Sequence, residues 1–365
     1  MLITIGNIFE SKATTLVNTI NCVGVMGKGV ALEFKKRYPL LFKDYTERCE
    51  AKAVLPGQPY YYNDLTGASV LNFPTKDHWR SPSKLSYIVD GLDWFVQNYN
   101  ELGITSIAFP PLGCGNGGLS WDVVGPIMYQ KLKDLPIDIE IYAPFGTHPD
   151  KLKAAFLSQQ SVEQTSEVSG IKLGRINTNW YLLLYIVKEL SNNRYALYVG
   201  RTIFQKICYA LTRSGVNTGF EFSKSSYGPF SHQVKDAITI LSNSNLMYEA
   251  NVGRMMKMTV SENFTFDPSG FTANDISAAK KTIDLFSRVK NTDHAEMIAT
   301  VMYAYDTLAV DGGAADIDIY NYVMDWKPHW KDTKKEAVCD TILNLTMLGW
   351  MSARHSGQIV YNDDL

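Results

Sequence analysis

No Cys-x-x-Cys pair occurs in this 365-residue chain, whose five cysteines stand apart at positions 22, 49, 114, 208 and 339. That spacing offers neither a disulfide framework nor a zinc site, and it suits a reducing cytoplasm. No other metal-ligand cluster is visible, so turnover without a metal or cofactor is expected. No apolar run approaches the roughly 20 residues that a membrane-spanning helix needs. The opening Met1-Leu-Ile-Thr-Ile lacks a basic stretch and reads as a strand rather than a signal peptide. Charge of one sign is lacking too: 35 Lys and Arg face 37 Asp and Glu, a net charge of −2, so the overall balance does not advertise nucleic acid. The glycine loop at residues 18–30 has neither the spacing of nucleoside triphosphatases nor that of dinucleotide folds. What is present is a chain that is 45% hydrophobic, long enough for two or three domains.

Two glycine stretches organise its first part. The strand-like Thr15-Leu16-Val17 leads through Asn18-Thr-Ile-Asn21 into Gly24, Gly27, Lys28 and Gly29. Val30, Ala31, Phe34 and Tyr38 then recur at helical spacing. Further on, the strand-like 104–109 ends in Pro110-Pro-Leu-Gly113-Cys114-Gly115-Asn116-Gly117-Gly118, and Trp121 begins a helix. A strand, a glycine loop and a helix start together present bare N–H groups to an anion. Two such loops on adjacent parallel strands can grip a diphosphate from both sides. Taken alone, each loop is equally an ordinary turn. Asn18 and Asn21 add side-chain amides suited to ligand hydroxyls.

A third stretch, Asn72-Phe-Pro-Thr-Lys76-Asp77-His78-Trp79-Arg80-Ser-Pro-Ser83, holds a lysine between two prolines. A lysine becomes nucleophilic when desolvation or neighbouring positive charge lowers its pKa; otherwise Lys76 is a phosphate contact. His78, Trp79 and Arg80 offer stacking and phosphate-binding groups suited to a single strand, unless Trp79 simply caps the core. Cys114 has no histidine placed to activate it and is read as loop packing. Residues 35–52 read as a charged helix with a solvated face, residues 58–72 as two strands around a turn at 63–67, Ile137–Tyr142 as the last strand, and 149–158 as a short closing helix.

Gly6-Asn7-Ile8, Asn18 to Lys35, Phe73 to Arg80 and Leu112 to Leu119 together resemble a macrodomain, the ADP-ribose-binding α/β module, and within it the DarG antitoxins of DarT–DarG pairs. The resemblance implies a mixed sheet with helices on both faces over 1–157. It implies an ADP-ribose site made by Asn7, Ile8, Asn18, Gly27, Lys28, Gly29, Val30, Gly113, Cys114, Gly115, Asn116, Gly117 and Phe145. Asn7 stands where many macrodomains carry Asp against the adenine, and Phe145 where an aromatic stacks on it. The resemblance makes Lys76 catalytic, with Asn21 assisting. Its amine is expected to attack C1″ of the distal ribose, displace thymine and form a transient Schiff base that water resolves. Lysine-using relatives carry an Asp in the second glycine loop. Here the loop reads Asn116-Gly-Gly with no acid before Asp122, so Asn21, Asp77 or water is left as general base. His78, Trp79 and Arg80 become contacts to ADP-ribosylated single-stranded DNA. Hydrolysis of protein-linked ADP-ribose, and ADP-ribose reading without turnover, remain as alternatives.

Residues 158–170 are polar and aperiodic and read as a linker. Beyond them, helical runs at 180–190, 200–211 and 234–241 precede a hairpin at 246–260, giving a winged-helix-like module over 171–262. Its Gly200-Arg-Thr…Lys206 and Tyr227-Gly-Pro-Phe-Ser resemble the SocA/Panacea partner-binding domains. The order recurs over 275–365, with helices at 295–308 and 337–345 and a closing hairpin at 349–361. Residues 293–326 hold seven Asp or Glu and no Lys or Arg. That composition is either a solvated face or a surface for a basic partner. The DarG resemblance favours the partner, a DarT-like toxin, in a cytoplasmic antitoxin with no membrane association.

Overall fold

Short β-branched runs alternating with amphipathic segments make a sheet buried between helices. The computed structural model describes residues 1–63, 69–158, 176–252, 255–309 and 313–359. They fall into two units, one within Met1–Arg175 together with Asp236–Asn245, the other within Ile176–Lys235 and Leu246–Leu365. The expected linker lies outside the described residues apart from Ser158.

In the first unit the strands are β1 (Leu2–Ile5), β2 (Thr15–Ile20), β3 (Tyr60–Asn63), β4 (Ser69–Pro74), β5 (Ser106–Phe109) and β6 (Asp138–Ala143). They pair in the order β1-β6-β5-β2-β4-β3. All pairs are parallel except β3 with β4, which runs antiparallel with Tyr60 opposite Asn72. Most of the turn expected at 63–67 falls outside the described residues.

The period-2 alternation of a strand then sorts side chains to two faces. On one face Ile20, Val70 and Ala108 pack under α1 (Gly29–Arg37) and α2 (Pro39–Glu50). On the other, Val17, Leu71, Phe73, Ile107 and Ile141 meet α3 (Leu85–Asn98), α4 (Trp121–Leu132) and the short α5 (Ala154–Leu157). Helices cover both faces of a mixed sheet, as the sequence implied. The charged stretch 35–52 differs from its reading. Pro39 opens a new helix, and Leu41 and Tyr45 are fully buried. Their i, i+4 spacing was the signal for an inward face.

The second unit is mostly helical: α6 (Trp180–Asn192), α7 (Arg201–Arg213), α8 (His232–Asn243), α9 (Ala273–Ser287), α10 (Thr292–Leu308), α11 (Asp316–Trp326) and α12 (Lys335–Met347), with the C-terminal part of α8 grouped in the first unit. β7 (Ser223–Ser225) and β8 (Gly228–Phe230) form one hairpin, and β9 (Met247–Val252) and β10 (Met255–Val260) another. The hairpin expected at 246–260 is therefore present. The one expected at 349–361 is not formed among the described residues, and part of its second arm lies beyond them. Instead β12 (Ala353–Arg354) pairs in parallel with β11 (Ala314–Ala315). The tandem repeat thus breaks at its closing element, because these residues complete a ladder with a distant strand rather than with each other.

The acidic stretch also reads differently in three dimensions. α10 carries its buried residues all around, from Ala295 to Ala304, and is a core helix rather than a face. Glu296 pairs with Lys327 at 2.6 Å and Asp306 with Arg213 at 2.7 Å. Asp293 meets Lys334 at 2.9 Å and Asp325 meets Lys331 at 3.4 Å. Buried Asp316 accepts from Ser356 N and meets His355 at 2.9 Å. Neutralising partners from other segments thus cancel most of a charge that looked unbalanced along the chain.

The Lys206 motif is likewise structural. The Lys206 ammonium donates to the carbonyls of Tyr227 (2.5 Å) and Pro229 (2.9 Å), pinning the β7–β8 turn. Burial pushes its pKa down to about 8.

Candidate active site

Parallel strands end together, so the segments that follow them meet along one edge of the sheet. Here β5, β2 and β4 are consecutive neighbours. Their carboxyl ends carry the second glycine loop, the first glycine loop and the Lys76 stretch. Asn7 follows β1 and Phe145 follows β6, so those segments leave the same edge.

The first loop is held by Asn21. Its Oδ1 accepts from Val23 N (3.0 Å), Val25 N (3.4 Å) and the Tyr45 hydroxyl (3.0 Å), while its Nδ2 donates to Val25 O at 2.6 Å. Gly24 and Gly29 sit at φ +77° and +58°, a region that costs a side chain steric strain. Lys28 is the extended N-cap residue of α1, and Gly27, Lys28 and Gly29 are exposed, with Val30 half-buried.

The second loop is compact. Cys114 N donates to Pro111 O, Gly118 N to Gly115 O and Leu119 N to Gly113 O, at 3.0–3.1 Å. The two loops adjoin: the Asn116 amide nitrogen lies 3.1 Å from where a Cβ on Gly29 would stand. Lys76 connects to this pair from the third strand end, its Nζ donating to Asn116 O at 2.7 Å. Cys22 N donates to Asp77 O at 3.0 Å and Thr75 N to Ile20 O at 3.0 Å, tying the lysine segment along the first loop.

Beside the lysine, His78 and Trp79 stack with ring centroids 5.7 Å apart, and the Arg80 guanidinium lies 4.6 Å over the indole. Trp79 is 44% exposed, so it is a surface platform and not a core cap. Phe145 is 80% exposed and available for stacking.

Three expected residues make structural contacts of their own. Asn18 is fully buried and donates to Asn72 Oδ1 at 2.9 Å, across the β2–β4 register where the two face each other. Its Nδ2 is engaged inside the sheet, while its buried Oδ1 has no hydrogen-bond partner among the described residues. Asn21, expected to assist the chemistry, has its polar atoms engaged in holding the loop. Asn7 Oδ1 accepts from Phe9 N at 3.2 Å and caps the turn at Ile8–Glu10, while the Ile8 side chain is buried.

Thiol chemistry is disfavoured, since burial pushes both Cys114 and Cys22 up to about 12. Asp122 is engaged by Lys151 at 2.7 Å. Among the described residues no three His, Cys, Asp or Glu side chains are grouped to hold a metal, and no helix is long and apolar enough to cross a membrane.

Sequence reasoning missed two contributors. Tyr45 donates to Asn21 O at 2.9 Å as well as to its side chain. Ser83 lies beneath the second loop. The first was signalled by helical spacing; the second lay inside the Lys76 motif but without a residue type that announced a role.

Comparison with known proteins follows this geometry. The Macro domain family matches residues 17–128. A DNA ADP-ribosyl glycohydrolase of Mycobacterium tuberculosis is 34% identical over 241 residues, 63% of this chain and 64% of that protein. The chain thus spans just under two thirds of that curated relative's length. The solved macrodomain of Mycobacterium tuberculosis DarG is 46% identical, over 39% of this chain and 98% of the other, with a TM-score of 0.38. Thermosipho africanus DarTG in complex with ADP-ribose is 39% identical, over 42% of this chain and 44% of that one, with a TM-score of 0.40. The family match and the curated relatives agree: the chain carries a Macro domain over residues 17–128 and is similar in sequence to DNA ADP-ribosyl glycohydrolases of the DarG kind.

Proposed function

We propose that this protein removes ADP-ribose from thymidine in single-stranded DNA. The observation that carries the reading is the Lys76 ammonium at 2.7 Å from Asn116 O, where an amine from one strand end meets glycine loops from two others. A diphosphate between those loops leaves its distal ribose at the lysine. The amine adds to C1″ as the C1″–N bond to thymine breaks, and the thymine nitrogen leaves with the electron pair and takes up a proton. The C1″–O4″ bond then opens, O4″ takes up the second amine proton as a hydroxyl, and a Schiff base between Lys76 and C1″ results. Water hydrolyses that base, restoring the amine and releasing ADP-ribose. With the atoms of Asn21 committed to its loop, Asp77 or a water serves as the base.

The relative named a DNA ADP-ribosyl glycohydrolase supports DNA as substrate, and the ADP-ribose complex of the Thermosipho relative supports the ligand. The exposed His78-Trp79-Arg80 platform favours a single strand over a protein-linked substrate, because stacked bases need a π-face and phosphates need a cation. Gly27 to Val30, Gly113 to Gly117, and the backbone at Asn7 and Ile8 are assigned to the ADP-ribose.

The second unit is assigned to a DarT-like toxin in the cytoplasm, supported by the likeness to Thermosipho africanus DarTG. Its winged-helix-like hairpin and its exposed Tyr195, Tyr227 and Tyr248, rather than the paired acids, are the contact groups.

The test is ADP-ribose release from an oligonucleotide bearing ADP-ribosyl thymidine. The full chain is assayed as wild type and as Lys76→Ala, with a glutamyl-linked protein substrate alongside. Release from DNA by wild type alone supports the reading. Release only from protein moves the function to the alternative substrate. ADP-ribose binding with no release from either leaves a reader.

A further inference from the structure

Ser83 is fully buried, and among the described residues its Oγ has no hydrogen-bond partner. An unpaired buried hydroxyl costs stability without return, so its retention needs an account. The side chain is aimed into the second glycine loop. Its Oγ lies 2.3 Å from where a Cβ on Gly117 would stand and 3.2 Å from where one on Gly113 would stand. Gly113 O lies 2.2 Å from the same Gly117 point. The hydroxyl and that carbonyl are therefore near neighbours with no hydrogen bond between them.

The rest of Ser83 is fixed. Its N–H donates to Gly117 O at 2.9 Å, and its carbonyl accepts from the Asn243 amide at 3.1 Å. The same Asn243 accepts from Leu85 N at 2.7 Å and so caps α3, whose own N-cap residue Lys84 makes no side-chain cap. A donor held this firmly beneath a loop made flexible by glycines is set for an acceptor that arrives when the loop moves.

We propose that Ser83 is a positioning residue for the second glycine loop. When a diphosphate draws the loop amides toward itself, the Gly113 carbonyl moves onto the Ser83 hydroxyl, and that hydrogen bond holds the loop in its ligand-bound shape. Gly113 O already accepts from Leu119 N and has a second lone pair to give. The ligand itself does not reach Ser83. The proposal rests on reading this edge as an ADP-ribose site.

The experiment measures ADP-ribose binding by calorimetry and thermal unfolding with and without ADP-ribose, using the full chain as wild type, Ser83→Ala and Ser83→Cys. Ser83→Ala is expected to weaken ADP-ribose about tenfold, the scale of one hydrogen bond. The ligand-free chain keeps or raises its unfolding temperature, because the hydroxyl contributes nothing there. Ser83→Cys, a weak donor of similar shape, falls between. In turnover, KM rises while kcat holds. Unchanged affinity in Ser83→Ala overturns the proposal, as does a lower ligand-free unfolding temperature, which assigns Ser83 to packing. A wild type that does not bind ADP-ribose overturns the site reading itself, and this proposal with it.

Discussion

The first glycine loop is held from within by a side chain, whereas the second is held by its own backbone and by what lies beneath it. In the first, the Asn21 amide satisfies Val23 N, Val25 N, Val25 O and Tyr45, and a Cβ on Gly24 or Gly27 would meet nothing closer than 3.7 Å. In the second, Gly113 and Gly117 close over Ser83, and Lys76 donates to the Asn116 carbonyl. Loops of similar composition thus fail for different reasons. The first depends on one buried amide; the second depends on having no side chains where Ser83 and Gly113 O already sit.

The sharpest way to break this comparison is Gly117→Ala. A Cβ there falls 2.2 Å from a backbone carbonyl, so the loop must shift, at about 3 kcal/mol, the upper range for overpacking. ADP-ribose affinity measured by calorimetry should drop at least tenfold. The matched change in the first loop, Gly27→Ala, meets only Val25 Cγ1 at 3.7 Å. Equal damage from both would erase the distinction.

Asn21→Ala comes next. It strands the buried Tyr45 hydroxyl and several loop backbone groups at once and should cost about 2 kcal/mol in urea unfolding. Replacing Tyr45 with Phe, which removes one of those partners, should cost less than half as much.

Trp79→Ala tests the platform without touching either loop. Affinity for an ADP-ribosylated oligonucleotide should fall about tenfold, one lost stacking contact. Affinity for free ADP-ribose should hold.

The smallest effect is expected at Cys114. Its thiol is pushed up to about 12, so the thiolate is scarce from pH 7 to 9. Cys114→Ser should retain activity, and activity of the wild type should survive iodoacetamide across that range. Rapid inactivation through Cys114 would give this thiol a part in the chemistry.

How far the sequence was legible depended on the range of the physics involved. Period-2 strands, helical spacing and glycine–helix junctions are local, and they announced β2, β5 and both loops. The Lys76 motif was visible because residue type carries its chemistry. The loop-bracing contacts of Asn21 and the buried contact of Asn18 with Asn72 were not legible, because an amide looks alike in sequence facing solvent or facing Asn72. The acidic run 293–326 misled because Lys327, Arg213 and Lys334, its partners, come from outside it.

By itself the sequence determined the sheet's alternating pattern, the glycine–helix junctions and the place of the lysine between two prolines. Each is set by neighbours within a few residues. Only the tertiary structure decided that Asn21 braces the first loop, that α10 is core, and that the Ser83 hydroxyl lies under the second loop with no hydrogen-bond partner among the described residues. Those outcomes depend on which distant groups arrive to satisfy a buried polar atom, and chain order does not encode that locally.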